Sequence, residues 1–112
     1  MSAPFHSSRD VIIRTPEWAA AVAFYAATLG LPEAYRGESI VGFETGAFRL
    51  YVEKGNTHGP VFEYWVPDVQ AAKLQLMAAG CELIEEDASV PRCYLRDPYG
   101  MTFNLGRLPQ RD

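Results

Sequence analysis

The chain has 112 residues and a formal charge of -4, which fits one domain, or two small repeats sharing a core, able to fold without covalent staples. That acidity excludes phosphate-backbone binding as a main role, and no segment approaches the ~20 apolar residues needed to cross a bilayer; neither nucleic acid nor membrane is an expected partner. Cys81 and Cys93 lack a Cys-x-x-Cys spacing and Met1 to His6 holds no apolar run of signal-peptide length, so a reduced cytoplasm is the expected location.

An internal repeat organises the sequence. Asp10-Val11-Ile12-Ile13-Arg14-Thr15-Pro16-Glu17-Trp18 is echoed by Val61-Phe62-Glu63-Tyr64-Trp65-Val66-Pro67-Asp68-Val69, each copy reading strand, proline, acid, helix. In the first copy Thr15 is placed to cap a helix whose first residue is Pro16, with Glu17 in the positive end of its dipole and Gly30 as its stop. Period-2 alternation then predicts strands over 33–36, 39–44 and 48–53, and the Gly, Asn and Pro content of Lys54 to Pro60 predicts a linker. In the second copy Asp68 caps a helix over Val69 to Ala79 that Gly80 ends. Strands over 82–85, 92–96 and 101–106 follow, with Glu85 to Pro91 an acidic loop that serves either as a lid or as an ordinary solvated turn. Asp97-Pro98-Tyr99-Gly100 is a type I or II turn signal, since proline presets φ and glycine tolerates a positive one. The predicted fold class is α+β, two βαβββ modules in tandem, about 8–54 and about 60–107, in one domain over 1–112.

Side-chain parity sorts the strand residues into two sets. Val11 and Ile13, Leu50 and Val52, Phe62, Tyr64 and Val66, and Phe103 and Leu105 should pack beneath the helices. The opposite faces collect Asp10, Ile12 and Arg14; Arg49, Tyr51 and Glu53; Val61, Glu63 and Trp65; Arg92, Tyr94 and Arg96; and Thr102 and Asn104. Aromatics among charges suit a small-molecule pocket, and they equally suit a solvated face or a dimer contact.

Phe24-Tyr25-Ala26-Ala27-Thr28-Leu29-Gly30-Leu31 and Asp97-Pro98-Tyr99-Gly100-Met101-Thr102-Phe103-Asn104-Leu105 together resemble the vicinal oxygen chelate superfamily, which includes glyoxalase I, extradiol dioxygenases, fosfomycin-modifying enzymes and bleomycin-binding proteins. The resemblance implies curved mixed sheets, each covered by a helix, with an open trough between them. It also implies metal ligands on the first and last strand of each repeat in the metal-dependent members. Carried across, those positions fall on Asp10, Tyr51, Val61 and Asn104. One carboxylate, one phenol, one valine and one amide do not make a tight divalent site, which wants three or four His, Cys, Asp or Glu donors. No metal and no other cofactor are expected, and His6, in the N-terminus, and His58, in the linker, are the only histidines.

The expected ligand-binding residues are Asp10, Arg49, Tyr51, Glu63, Trp65, Arg92, Tyr94 and Asn104. Trp65 and Tyr51 could stack on a planar ligand while the arginines or Glu63 read its charge. Glu63 is open to two readings, a carboxylate in a partly apolar pocket or an ion pair with Arg14, Arg49 or Arg92. Tyr94 matches a ligand-contacting tyrosine of the fosfomycin-modifying relatives, or packs in the sheet. Trp18 reads as a core or interface residue, and Cys93 as a buried thiol. The function expected is a metal-free protein of the bleomycin-resistance type, a homodimer sequestering an aromatic or planar small molecule. The alternatives are a glyoxalase-like lyase or isomerase with a non-standard metal site, and a trough that is a protein interface.

Overall fold

The structure, a computed structural model, describes residues 5–109. The chain divides into two compact units, Arg9–Val61 and the described residues outside that span. We call them the N-terminal and C-terminal units. The architecture is mixed α+β.

The N-terminal unit holds most of β1 (His6–Thr15), α1 (Trp18–Ala23), a π-helical turn (Phe24–Thr28), β2 (Glu33–Arg36), β3 (Ile40–Glu44) and β4 (Arg49–Lys54). Its strands lie in the order β2-β3-β4-β1, with β1 parallel to β4 and the others antiparallel. The C-terminal unit holds most of β5 (His58–Val66), then α2 (Val69–Ala78), β6 (Glu82–Asp87), β7 (Arg92–Arg96) and β8 (Thr102–Arg107). Here the order is β5-β8-β7-β6, with β5 parallel to β8.

Both helices end as their sequences imply, but only one begins so. Asp68 accepts a hydrogen bond from the Ala71 N–H at 3.1 Å and caps α2. Gly80, at φ 107°, ends it with paired bonds from Cys81 N–H to Leu76 O and from Gly80 N–H to Met77 O, a Schellman arrangement that satisfies otherwise orphaned carbonyls. Thr15 caps no helix: its hydroxyl takes the Glu17 N–H at 3.1 Å, and α1 starts only at Trp18 because Glu17 keeps non-helical angles. After six residues α1 widens into the π-turn, where Leu29 N–H reaches Phe24 O. The widening lets Tyr25 rest against Phe43, ring centroids 6.0 Å apart, before Gly30 at φ 67° releases the chain.

Each unit has its own apolar core. Val41, Phe43, Leu50 and Val52 form the first, joined by Ile13, Trp18, Ala21, Val22, Tyr25 and Leu31. Trp18 belongs to this core, its indole N–H donating to Val52 O at 2.8 Å. Val66, Ala72, Cys93, Leu95, Phe103 and Leu105 form the second, with Tyr64 and Leu83 against it. Phe62 shares the parity of Tyr64 and Val66 but stays 41% exposed, because the cluster begins two residues further along the strand. Val61 is buried, though outside both clusters.

Three loop expectations shift. His58, Gly59 and Pro60 open β5, so the predicted linker shrinks to 55–57; the residue before a proline is driven toward extended backbone. Glu85, Glu86 and Asp87 belong to β6, which reduces the acidic loop to 88–91. His6 opens β1, with its side chain exposed. Both outer hairpins carry an irregularity, between Glu33 and Tyr35 and between Leu83 and Glu85, a device that twists an edge strand away from unwanted pairing. No described helix is long and apolar enough to cross a membrane.

Candidate functional site

The turn at Asp97 starts the site. Asp97 Oδ1 accepts from Tyr99 N–H at 2.9 Å and Met101 N–H at 3.0 Å, and its own N–H donates to Met101 O at 2.8 Å. With Gly100 at φ 101°, this fixes where β8 begins and hence which of its residues face which way. Thr102, Asn104 and Gly106 then share one face, and register sets Glu63 of β5 beside Asn104 and Trp65 beside Gly106.

On its other side β8 pairs with β7 only through Tyr94–Asn104, Leu95–Phe103 and Arg96–Thr102. Beyond that point the two strands part. The next β7 amide, Cys93 N–H, donates to the side-chain Oδ1 of Asn104 at 2.8 Å, while Asn104 Nδ2 donates to Glu63 Oε2 at 2.8 Å. The amide is thus oriented by a donor on one side and an acceptor on the other, and only this orientation satisfies both. A side chain takes over the ladder where the backbone can no longer continue it.

A cleft of about 540 Å³ occupies the opening, bounded by Glu63 and Trp65 of β5, Arg92 of β7, Asn104 and Gly106 of β8, and the first turn of α2. Gly106 decides the packing there: a Cβ at that position would meet Glu63 Oε2 at 2.8 Å and Trp65 Cδ1 at 3.2 Å. The carboxylate and the indole edge therefore lie side by side over bare backbone. Arg92 is held by Glu85 at 3.0 Å and stands 5.1 Å from the centre of the Tyr94 ring. On the flank, Lys73 binds Glu86 at 2.9 Å, and this hydrogen bond, then that from Gln70, holds the Glu86 carboxyl below its ordinary range. Burial, then the Glu86 charge, pushes the Cys93 thiol up, which keeps it protonated and unreactive at neutral pH.

Of the eight expected residues, Glu63, Trp65, Arg92 and Asn104 line this one cleft. Tyr94 belongs to the same unit but is 3% exposed beneath Arg92. Asp10, Arg49 and Tyr51 belong to the N-terminal unit, where Arg49 Nε lies 3.3 Å from Asp10 Oδ1 and the Tyr51 ring covers Gly42. The three arginines that could have neutralised Glu63 have other acids: Arg14 pairs with Glu53, Arg49 with Asp10 and Arg92 with Glu85. Parity did not single out Gly106 or the Cys93 amide. A glycine inside an alternating strand was the available signal for the first; the second depends on where a ladder ends.

The donor set does not fit a divalent cation. Asn104 offers an amide whose oxygen and nitrogen are both engaged, Val61 offers nothing, and Asp10 is bound by a guanidinium. Among the described residues no three His, Cys, Asp or Glu side chains are grouped to hold a metal ion.

Residues 10–106 match the glyoxalase-like domain family. The chain belongs to that family. Among solved structures this glyoxalase-like domain is similar to a variant of homoprotocatechuate 2,3-dioxygenase from B. fuscum in complex with HPCA, at 19% identity and a TM-score of 0.68 over 97% of the chain. It spans only 34% of that dioxygenase. It is also similar to a hypothetical protein from Bacillus halodurans C-125, at 11% identity and a TM-score of 0.67, over 100% of this chain and 99% of that one. Identities this low speak for the fold alone. No curated protein matches the sequence.

Proposed function

We propose that this glyoxalase-like domain binds an aromatic or planar organic molecule in the cleft of its C-terminal unit and holds it by shape, aromatic contact and hydrogen bonding, without a bound metal ion. The observation that carries the reading is Asn104. At a position where metal-dependent relatives would need a ligand, it spends its amide on Cys93 N–H and Glu63. Such a residue organises a polar wall, and a neutral amide already engaged at both its oxygen and its nitrogen is a poor substitute for the anionic or imidazole donor a divalent cation wants. A half-buried tryptophan beside that wall, in an opening of about 540 Å³, suits a ligand with one flat face. The reading includes a homodimer of the bleomycin-resistance type that sequesters its ligand in the cytoplasm.

The test is native mass spectrometry of chelator-free protein together with elemental analysis. A dimer carrying an organic adduct and substoichiometric metal is the expected result. Stoichiometric transition metal would contradict the reading. So would lyase or isomerase activity on a glyoxalase-type substrate that is lost on chelation and regained with nickel, zinc or manganese.

A further inference from the structure

Glu63 is the carboxylate in this cleft without a cation. Its hydrogen-bond partner is the neutral Asn104 amide, the nearby Arg92 is committed to Glu85, and no other described Lys or Arg pairs with it. The second acid of the lining, Glu86, is neutralised by Lys73. Arg107, also in the lining, is exposed and solvated. Glu63 is half-buried, so it gives up part of its hydration without receiving a charge in return. Beside it stands Trp65, whose indole N–H has no partner among the described residues. A carboxylate and an aromatic ring set side by side over Gly106 match one chemistry: the carboxylate takes the N–H donors of an ammonium group while the ring's negative face accepts its charge.

We propose that Glu63 and Trp65 seat an organic cation, a protonated amine carried on an aromatic body. The inference rests on the small-molecule reading above and adds the ligand's charge. Asn104 is a positioning residue for this seat, since its Nδ2–H holds one carboxylate oxygen and leaves the other without a hydrogen bond from it.

Three probes of one shape test it by calorimetric titration: naphthylmethylamine, naphthylmethanol and naphthoate. The amine should bind at least about tenfold tighter than the alcohol, a difference of about 1.4 kcal/mol, and the naphthoate weakest. Glu63→Gln keeps the side-chain shape and an acceptor for Asn104, so it should erase the preference for the amine over the alcohol. Circular dichroism checks that this variant folds. Equal binding of amine and alcohol, or an amine affinity that survives Glu63→Gln, would overturn the cation seat and leave the small-molecule reading standing. Failure of all three probes to bind would overturn both.

Discussion

The two units place acidic residues on corresponding parallel strand pairs and treat them in opposite ways. In the N-terminal unit β1 sets Asp10 opposite Arg49, and the acid is matched by a guanidinium at 3.3 Å. In the C-terminal unit β5 sets Glu63 opposite Asn104, and the acid receives a hydrogen bond but no charge. The glycines differ in the same sense. Gly42 is covered by the Tyr51 ring, with a Cβ position 2.6 Å from Cε1, whereas Gly106 is covered by a carboxylate and an indole that border a cleft. One pattern fills its sheet face with a ring and a matched ion pair; the other leaves polar capacity for a ligand.

Substitutions can break or sharpen this contrast, beginning with the separate core of each unit. Phe43→Ala or Leu95→Ala, each at a fully buried position, should cost about 3–5 kcal/mol in urea unfolding. Gly42→Ala should follow at about 1–3 kcal/mol, because the new methyl group meets a ring packed in place. Gly106→Ala should cost less stability, since the closest atom it meets is a carboxylate oxygen at the end of the Glu63 side chain, while it moves Glu63 and crowds Trp65 and weakens probe binding by at least about tenfold, or ~1.4 kcal/mol. If Gly106→Ala proved the more destabilising of the two and left binding intact, the contrast would fail.

Asn104→Ala removes the bridge between Cys93 N–H and Glu63 and should cost about 1–3 kcal/mol. Asn104→Asp should be worse still at neutral pH, because it sets two carboxylates at hydrogen-bond distance. Chemical denaturation of the two variants side by side checks the order. Arg49→Ala, which opens a partly exposed ion pair, should cost about 0–1 kcal/mol.

The smallest effect is on pH dependence. Glu44 is held below the ordinary carboxyl range by the Gly46 N–H and then by Arg9, Glu86 by Lys73 and then Gln70, and Asp87 by Ser89. Carboxyls whose folded values are depressed stabilise the protein above their unfolded values, and that contribution is lost as pH falls through the folded ones. Thermal unfolding followed from neutral to acid should show a gradual loss of stability on the acid side of the ordinary carboxyl range. A melting temperature that rose there would contradict the assignment.

Legibility in the sequence followed the range of the forces involved. Asp68, Gly80 and the Asp97 turn act within a few residues, and their hydrogen bonds are those that local chemistry requires. Parity, reaching along one strand, put Glu63, Trp65 and Asn104 on a common face. What it could not supply was the partner of each arginine, since Arg14 finds Glu53 and Arg92 finds Glu85 only after strand order and register are set. Nor could it show that β7 and β8 part at Cys93, where the cleft opens, because ladder length depends on both strands at once. The widening of α1 at Phe24 escaped for a related reason: Tyr25 packs on Phe43, a contact outside the helix itself.

The central claim is that ligand binds at the Glu63–Asn104 bridge in the C-terminal unit. The most direct measurement is amide and indole chemical-shift mapping by NMR during titration with naphthylmethylamine. The expected result is saturable movement of the Cys93 amide, the Asn104 side-chain amide, the Gly106 amide and the Trp65 indole N–H, with the Asp10, Arg49 and Tyr51 amides unmoved. Shifts confined to Asp10, Arg49 and Tyr51, or no saturable shifts at all, would contradict it.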